Sequence, residues 1–135
     1  MDDLLEIAQE FDIFITYKKT SYVKSMAVRF DEKDYINLNE ELIENEKEEK
    51  WCLAHEIGHC TMQNSYYNAD TSIYARKRRE YKADTKAAEL TIDIEQLKKA
   101  IKKGIDTTWE LSEYFEIPED AVTRSIQIYK NKGLL

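Results

Sequence analysis

Trp51-Cys52-Leu53-Ala54-His55-Glu56-Ile57-Gly58-His59-Cys60 carries both histidines of a 135-residue chain. They stand four apart with a glutamate directly after the first, in the pattern H-E-x-x-H. On a helix, residues at that spacing lie one turn above each other on the same face. His55 and His59 can therefore bind one metal ion together. Zinc takes imidazole nitrogen readily and keeps one position open for water in catalytic sites. Glu56 sits about 100° round the helix from His55 by the 3.6-residue period. Its carboxylate then lies beside the metal, where it can accept a proton from water attacking a carbonyl. The pattern is a zinc motif with a stated physical mechanism, and these residues imply zinc-assisted hydrolysis.

A third protein ligand is needed, and no histidine remains. Periodicity predicts a metal helix from about Glu44 to about Gln63 and a second helix from about Ile73 to Leu90. One face of the second carries Ile73, Glu80, Ala83, Asp84, Ala87 and Leu90. Glu80 and Asp84 are one turn apart on that face, so either acid is a candidate ligand. The alanines suit tight packing against the metal helix. Gly58 costs about 1 kcal/mol in a helix interior relative to Ala, and close approach of another backbone is a reason to have it. Leu53 and Ile57 should face the core, with Trp51, Gly58 and Met62 near the histidine side. Cys52 and Cys60 are eight apart on the helix, too far for a disulfide with each other. For each, a thiolate ligand is the sharper reading and a small buried residue the commoner one.

The length suits one domain, 1–135, able to bury a core without staples. With 1 Pro and 3 Gly, no flexible linker is visible. No apolar run approaches a membrane span. Met1-Asp2-Asp3-Leu4 lacks the basic and apolar regions of a secretion signal, and the cysteine usage fits a reduced compartment. A cytoplasmic protein is expected. The net charge of -7 argues against broad nucleic-acid binding. Glu40 to Glu49 is acidic and Arg76-Lys77-Arg78-Arg79 is basic. Two solvated helix faces are the simpler reading; the sharper one is that the basic run holds an acidic substrate segment.

Asp2 or Asp3 should cap a helix through Glu10. Ile13 to Tyr17 reads as a strand, Tyr22 to Phe30 as a second, Asp31 to Asp34 as a turn and Tyr35 to Leu38 as a return strand. Together they predict a small antiparallel sheet. Asn64 to Thr71 reads as a polar loop. Helices follow from Asp93 to Lys103, from Thr107 or Thr108 to Phe115, and from Glu119 to Lys132, with Gly104, Pro118 and Gly133 as punctuation. The expected class is α+β, with the C-terminal helical segment, about 93–135, packed on the rest. The last two helices superficially resemble a helix-turn-helix. Asp106, Glu110, Glu113, Glu116, Glu119 and Asp120 outnumber the basic residues there, which favours packing or substrate docking over DNA reading.

His55-Glu56-Ile57-Gly58-His59, followed by Glu80-Tyr81-Lys82-Ala83-Asp84-Thr85-Lys86-Ala87-Ala88-Glu89-Leu90, resembles the ImmA/IrrE family of zinc metallopeptidases. The usual pattern there is H-E-hydrophobic-G-H, then E-x-x-A-D-x-F-A-A-x-L. Thr107 to Pro118 is similar to the family's downstream helices, and the resemblance runs from about Tyr35 onward. Lys86 stands where phenylalanine is common, and Thr91-Ile92-Asp93 where Leu-Met-Pro is common. Those departures bear on subfamily and substrate. The resemblance implies a zincin-like fold, Zn2+ as cofactor, and cleavage of a helix-turn-helix repressor of a phage or other mobile element, with no direct nucleic-acid or membrane partner. It implies His55, His59 and Glu80 as metal ligands, Glu56 as the proton acceptor, and Asp84 as the partner of a histidine's other N–H. The extra methylene of Glu suits reach between two packed helices. An oxyanion donor is expected, with Tyr66, Tyr67, Tyr74 and Tyr81 as candidates. Two other classes remain: a non-catalytic zinc-supported module that binds the repressor without cutting it, against which the intact Glu56 speaks, and a DNA-binding regulator.

Overall fold

The computed structural model describes residues 1–19, 22–61 and 72–135. The loop expected at Asn64 to Thr71, with Tyr66 and Tyr67, lies outside them, as do Met62 and Gln63.

Helix α1, Asp2–Glu10, buries Leu4 and Ala8. Its N-cap is Met1 rather than either aspartate. Asp2 and Asp3 stand in the first turn, where their charge meets the positive end of the helix dipole. Strands β1 (Ile13–Thr16), β2 (Ser25–Phe30) and β3 (Lys33–Leu38) follow. β2 and β3 form an antiparallel hairpin with Phe30 opposite Lys33. Asp31 and Glu32 alone connect them, both left-handed at φ 52° and 63°. A two-residue turn of that hand matches the twist of the flanking strands.

The sheet corrects the antiparallel expectation. Its order is β1-β3-β2, and β1 runs parallel to β3. β1 and β2 point in opposite directions, as consecutive strands of a meander do, but β3 inserts between them. Its two neighbours therefore run oppositely, and the sheet is mixed. β3 turns Asp34, Ile36 and Leu38 into the protein. β2 turns Ser25, Ala27 and Arg29 inward and leaves Met26, Val28 and Phe30 exposed.

Helix α2, Glu46–Thr61, packs on β2 and β3, and most closely on α3, Ile73–Thr91. The two helices meet at Gly58. A Cβ there would lie 2.8 Å from the Ala83 carbonyl oxygen and 3.2 Å from Lys86 Cβ. Close approach of another backbone is thus the reason for this glycine, as expected. Ser72, Asp93 and Thr107 cap α3, α4 (Ile94–Lys102) and α5 (Thr108–Phe115) through their side chains. Helix α6, Glu119–Asn131, follows Pro118.

Two apolar clusters result. One joins the sheet, α1 and α2 through Leu4, Ile36, Leu38, Leu53 and Ile57. The other joins α4, α5 and α6 through Leu97, Leu111, Val122 and Tyr129. α3 is the wall between them: Ala87 belongs to the first and Ala88 to the second, and Trp51 packs against both. This is an α+β, zincin-like fold, in which β2 flanks the paired helices α2 and α3.

Candidate metal centre

α2 brings the two histidine rings together edge to face, with their Nε2 atoms 3.2 Å apart. Glu80 reaches across from α3. Its Oε2 lies 2.9 Å from His55 Nε2 and its Oε1 3.2 Å from His59 Nε2. Donors placed tetrahedrally at zinc's usual bond lengths would be about 3.3 Å apart. The two imidazole nitrogens are 3.2 Å apart, near that spacing, and each faces a different oxygen of Glu80; two imidazoles with a carboxylate form a donor set zinc accepts. These residues fit the metal. Among the described residues, His55, His59 and Glu80 form the group of potential ligands whose donor atoms converge within 4.8 Å.

Asp84 stands one turn further along α3, behind His55. Its Oδ1 lies 2.8 Å from His55 Nδ1. A carboxylate only accepts, so His55 Nδ1 carries the hydrogen and donates it. That leaves His55 Nε2 directed at Glu80 and His59. Arg124, on α6, donates through Nε to Asp84 Oδ2 at 3.0 Å. Spacing alone leaves both acids open as ligands; the packing brings Glu80 to the histidine nitrogens and sets Asp84 between His55 and Arg124.

Electrostatics follow from these contacts. Burial pushes the His55 imidazole down, but hydrogen bonds to Asp84 and Glu80 outweigh it and raise the group to about 10. Hydrogen bonds from His55 and His59 hold the Glu80 carboxyl well below the usual carboxylate range. Metal binding at such a site competes with protons.

Glu56 is buried beside the histidines, and its Oε2 accepts a 2.6 Å hydrogen bond from Ser25 Oγ on β2. An open cleft of about 650 Å³ lies over this group, with β2 on one side and α3 on the other. Ser25 and Arg124 were not foreseen. Period-two alternation in β2 groups Ser25 with Arg29 opposite the apolar Met26, Val28 and Phe30, which would have turned Ser25 outward; the structure turns it inward instead. No signal in the sequence marks Arg124.

Of the candidate oxyanion donors, Tyr74 and Tyr81 line a separate groove between α3 and α6. The Tyr81 hydroxyl accepts from Asn131 Nδ2, and Arg124 lies over its ring. Tyr66 and Tyr67 lie outside the described residues. Tyr22, which is largely exposed, is the described tyrosine that borders the metal cleft. Neither cysteine joins the His–Glu group. Cys60 is buried in the first core, and burial pushes the half-buried Cys52 thiol up.

No helix among the described residues is long and apolar enough to cross a membrane. No curated protein matches the sequence. The family model for the IrrE N-terminal-like domain, a peptidase family, matches residues 8–127. That span runs from α1 into α6 and includes both helices of the centre. The fold, the convergent donors and the extent of the match agree, and the chain belongs to the family of IrrE N-terminal-like peptidase domains.

Proposed function

We propose that the protein is a zinc-dependent metallopeptidase, one domain acting in the cytoplasm, that cuts a helix-turn-helix repressor of a phage or other mobile element. The observation that carries the hydrolase reading is the convergence of His55, His59 and Glu80 beside the buried Glu56. His55, His59 and Glu80 would hold the ion. Zinc supplies a Lewis acid that makes water nucleophilic near neutral pH. Glu56 takes the proton of the attacking water and returns one to the leaving amine. Ser25 holds one Glu56 oxygen, leaving the other for that transfer. Asp84, backed by Arg124, fixes the ring of His55. The repressor as substrate rests on the family resemblance of the two helical motifs.

Incubation with a panel of helix-turn-helix repressors, read by mass spectrometry, tests the whole reading. The expected result is one new pair of termini, dependent on zinc and absent with Glu56→Gln. Intact repressors alongside digestion of unrelated unfolded proteins would replace the specific enzyme with a general peptidase.

A further inference from the structure

The groove between α3 and α6 is a second cavity, of about 740 Å³, and no step of the chemistry above uses it. Two tyrosines line it, seven apart and so on one side of α3. Tyr81 is half-buried and anchored: its hydroxyl accepts from Asn131, and the Arg124 guanidinium lies 5.2 Å from its ring centre. Tyr74 is 77% exposed. Arg78 stands between them, four residues after one and three before the other, which makes it a surface neighbour of both. Lys77, Arg78 and Lys82 border the groove and are exposed. Its one acid, Glu80, is turned to the two histidines. A chain of net charge -7 thus carries a basic groove with aromatic walls. The carbon stems of its lysines and arginines add apolar surface while their heads stay in water.

The groove is continuous with the metal cleft. Arg76 and Glu80, one turn apart on α3, line both cavities. A single polypeptide can therefore lie in the two at once. Guanidinium and ammonium groups bind carboxylates through charge-assisted hydrogen bonds, and an exposed phenol ring is covered best by an apolar or aromatic side chain. From Tyr74 to Lys82 the basic surface runs about 12 Å at the helical rise. That length meets a few carboxylates, whereas nucleic-acid affinity needs a longer run of phosphates neutralised together.

We propose that this groove is a docking site for an acidic segment of the protein substrate, one that carries an apolar side chain to cover Tyr74, and that it grips this segment while a neighbouring stretch lies in the metal cleft. The inference rests on the peptidase reading above and adds to it where, away from the scissile bond, the substrate is held.

The test uses the full chain as Glu56→Gln, loaded with zinc. Three short fluorescein-labelled peptides are titrated by fluorescence anisotropy at low ionic strength: one with glutamates flanking a phenylalanine, one with Gln for each Glu, and one with Ala for the Phe. The first should bind about 10-fold more tightly than either of the others. Lys77→Gln, Arg78→Gln and Lys82→Gln together should close the Glu–Gln gap to within about 2-fold, and Tyr74→Ala should do the same for the Phe–Ala gap. All four side chains are exposed or solvent-facing at the groove, so melting temperature and zinc content should hold. Lys98→Gln with Lys99→Gln on α4 should leave both gaps unchanged. Chelation of the zinc should change binding of the first peptide by less than about 2-fold, because the groove is separate from the cleft. Equal binding of the Glu and Gln peptides overturns the proposal. So does a preference that survives the groove substitutions, one that the α4 control also abolishes, or binding that is lost with the metal. A DNA oligonucleotide that outcompetes the first peptide overturns it in favour of a nucleic-acid surface. Cleavage of the repressor panel is scored separately with Glu56 intact, where the groove substitutions should raise KM and leave kcat unchanged. Peptide preference with no repressor cut keeps the docking site and removes the peptidase reading; cleavage with no peptide preference does the reverse.

Discussion

Glu56 owes its aim to a strand 31 positions upstream, through the 2.6 Å hydrogen bond from Ser25. Glu56→Gln preserves size and still offers an oxygen to Ser25, but it removes the proton acceptor. Zinc content and thermal stability should stay near those of the unaltered protein while turnover falls by about 100- to 10,000-fold. Metal analysis beside a cleavage assay checks both halves. The two acids of α3 separate in a zinc titration. Glu80→Ala should lose the metal under mild chelation, whereas Asp84→Ala should weaken affinity by about 10- to 100-fold, the usual effect of a partner that orients a ligand. Outright loss in Asp84→Ala with retention in Glu80→Ala would reverse the two roles. At this scale the sequence was most informative within one helix. His55, Glu56 and His59 are related by helical geometry alone. Glu80 and Asp84 could be placed on the right face, yet choosing between them took the family resemblance and side-chain reach. Ser25 and Arg124 were invisible, because each meets its partner only after distant elements have packed.

Gly58 sets the separation of α2 and α3, and with it the reach of Glu80. Gly58→Ala would gain helix propensity but drive a methyl into the Ala83 carbonyl, a backbone atom that cannot rotate aside. Overpacking of this kind costs about 1–3 kcal/mol. The expected outcome is a lower melting temperature together with weaker zinc binding, read by calorimetry and by metal titration. The hairpin offers the opposite sign. Glu32 holds a left-handed backbone at φ 63° without the freedom of glycine. Left-handed backbone costs a residue with a Cβ about 1–2 kcal/mol, so Glu32→Gly should raise the melting temperature despite its added chain entropy. The hairpin itself was legible in Asp31 to Asp34 and the strands around it. The direction of β1 was not. Four residues of strand specify a pleated, apolar segment, but which neighbour they join depends on where β3 inserts.

Across the molecule, α6 ties the second core to the end of α3. The Tyr129 hydroxyl donates to the Ile92 carbonyl at 2.5 Å. Burial, with the charges of Glu89 and Asp93, pushes that phenol up to about 12. An unfolded tyrosine titrates near about 10. The fold thus favours the protonated phenol, and the stability this lends is fully present below about pH 10 and lost as pH rises through about 12. Melting temperature should decline across that window, and Tyr129→Phe should decline less steeply, although it starts lower. Helical periodicity placed Leu53 and Ile57 in the core, whereas the separation into two clusters, and the division of α3 between them at Ala87 and Ala88, is a property of the assembled chain.

The line from Arg124 through Asp84 to His55 also governs how far the protein can be trimmed. A fragment ending after α5 would retain every proposed zinc ligand and the proton acceptor. It would nevertheless lose the guanidinium that holds Asp84, and with it the brace on His55 Nδ1. The smallest piece able to bind zinc at full strength must therefore extend beyond Arg124, and the family match ends at residue 127, just past it.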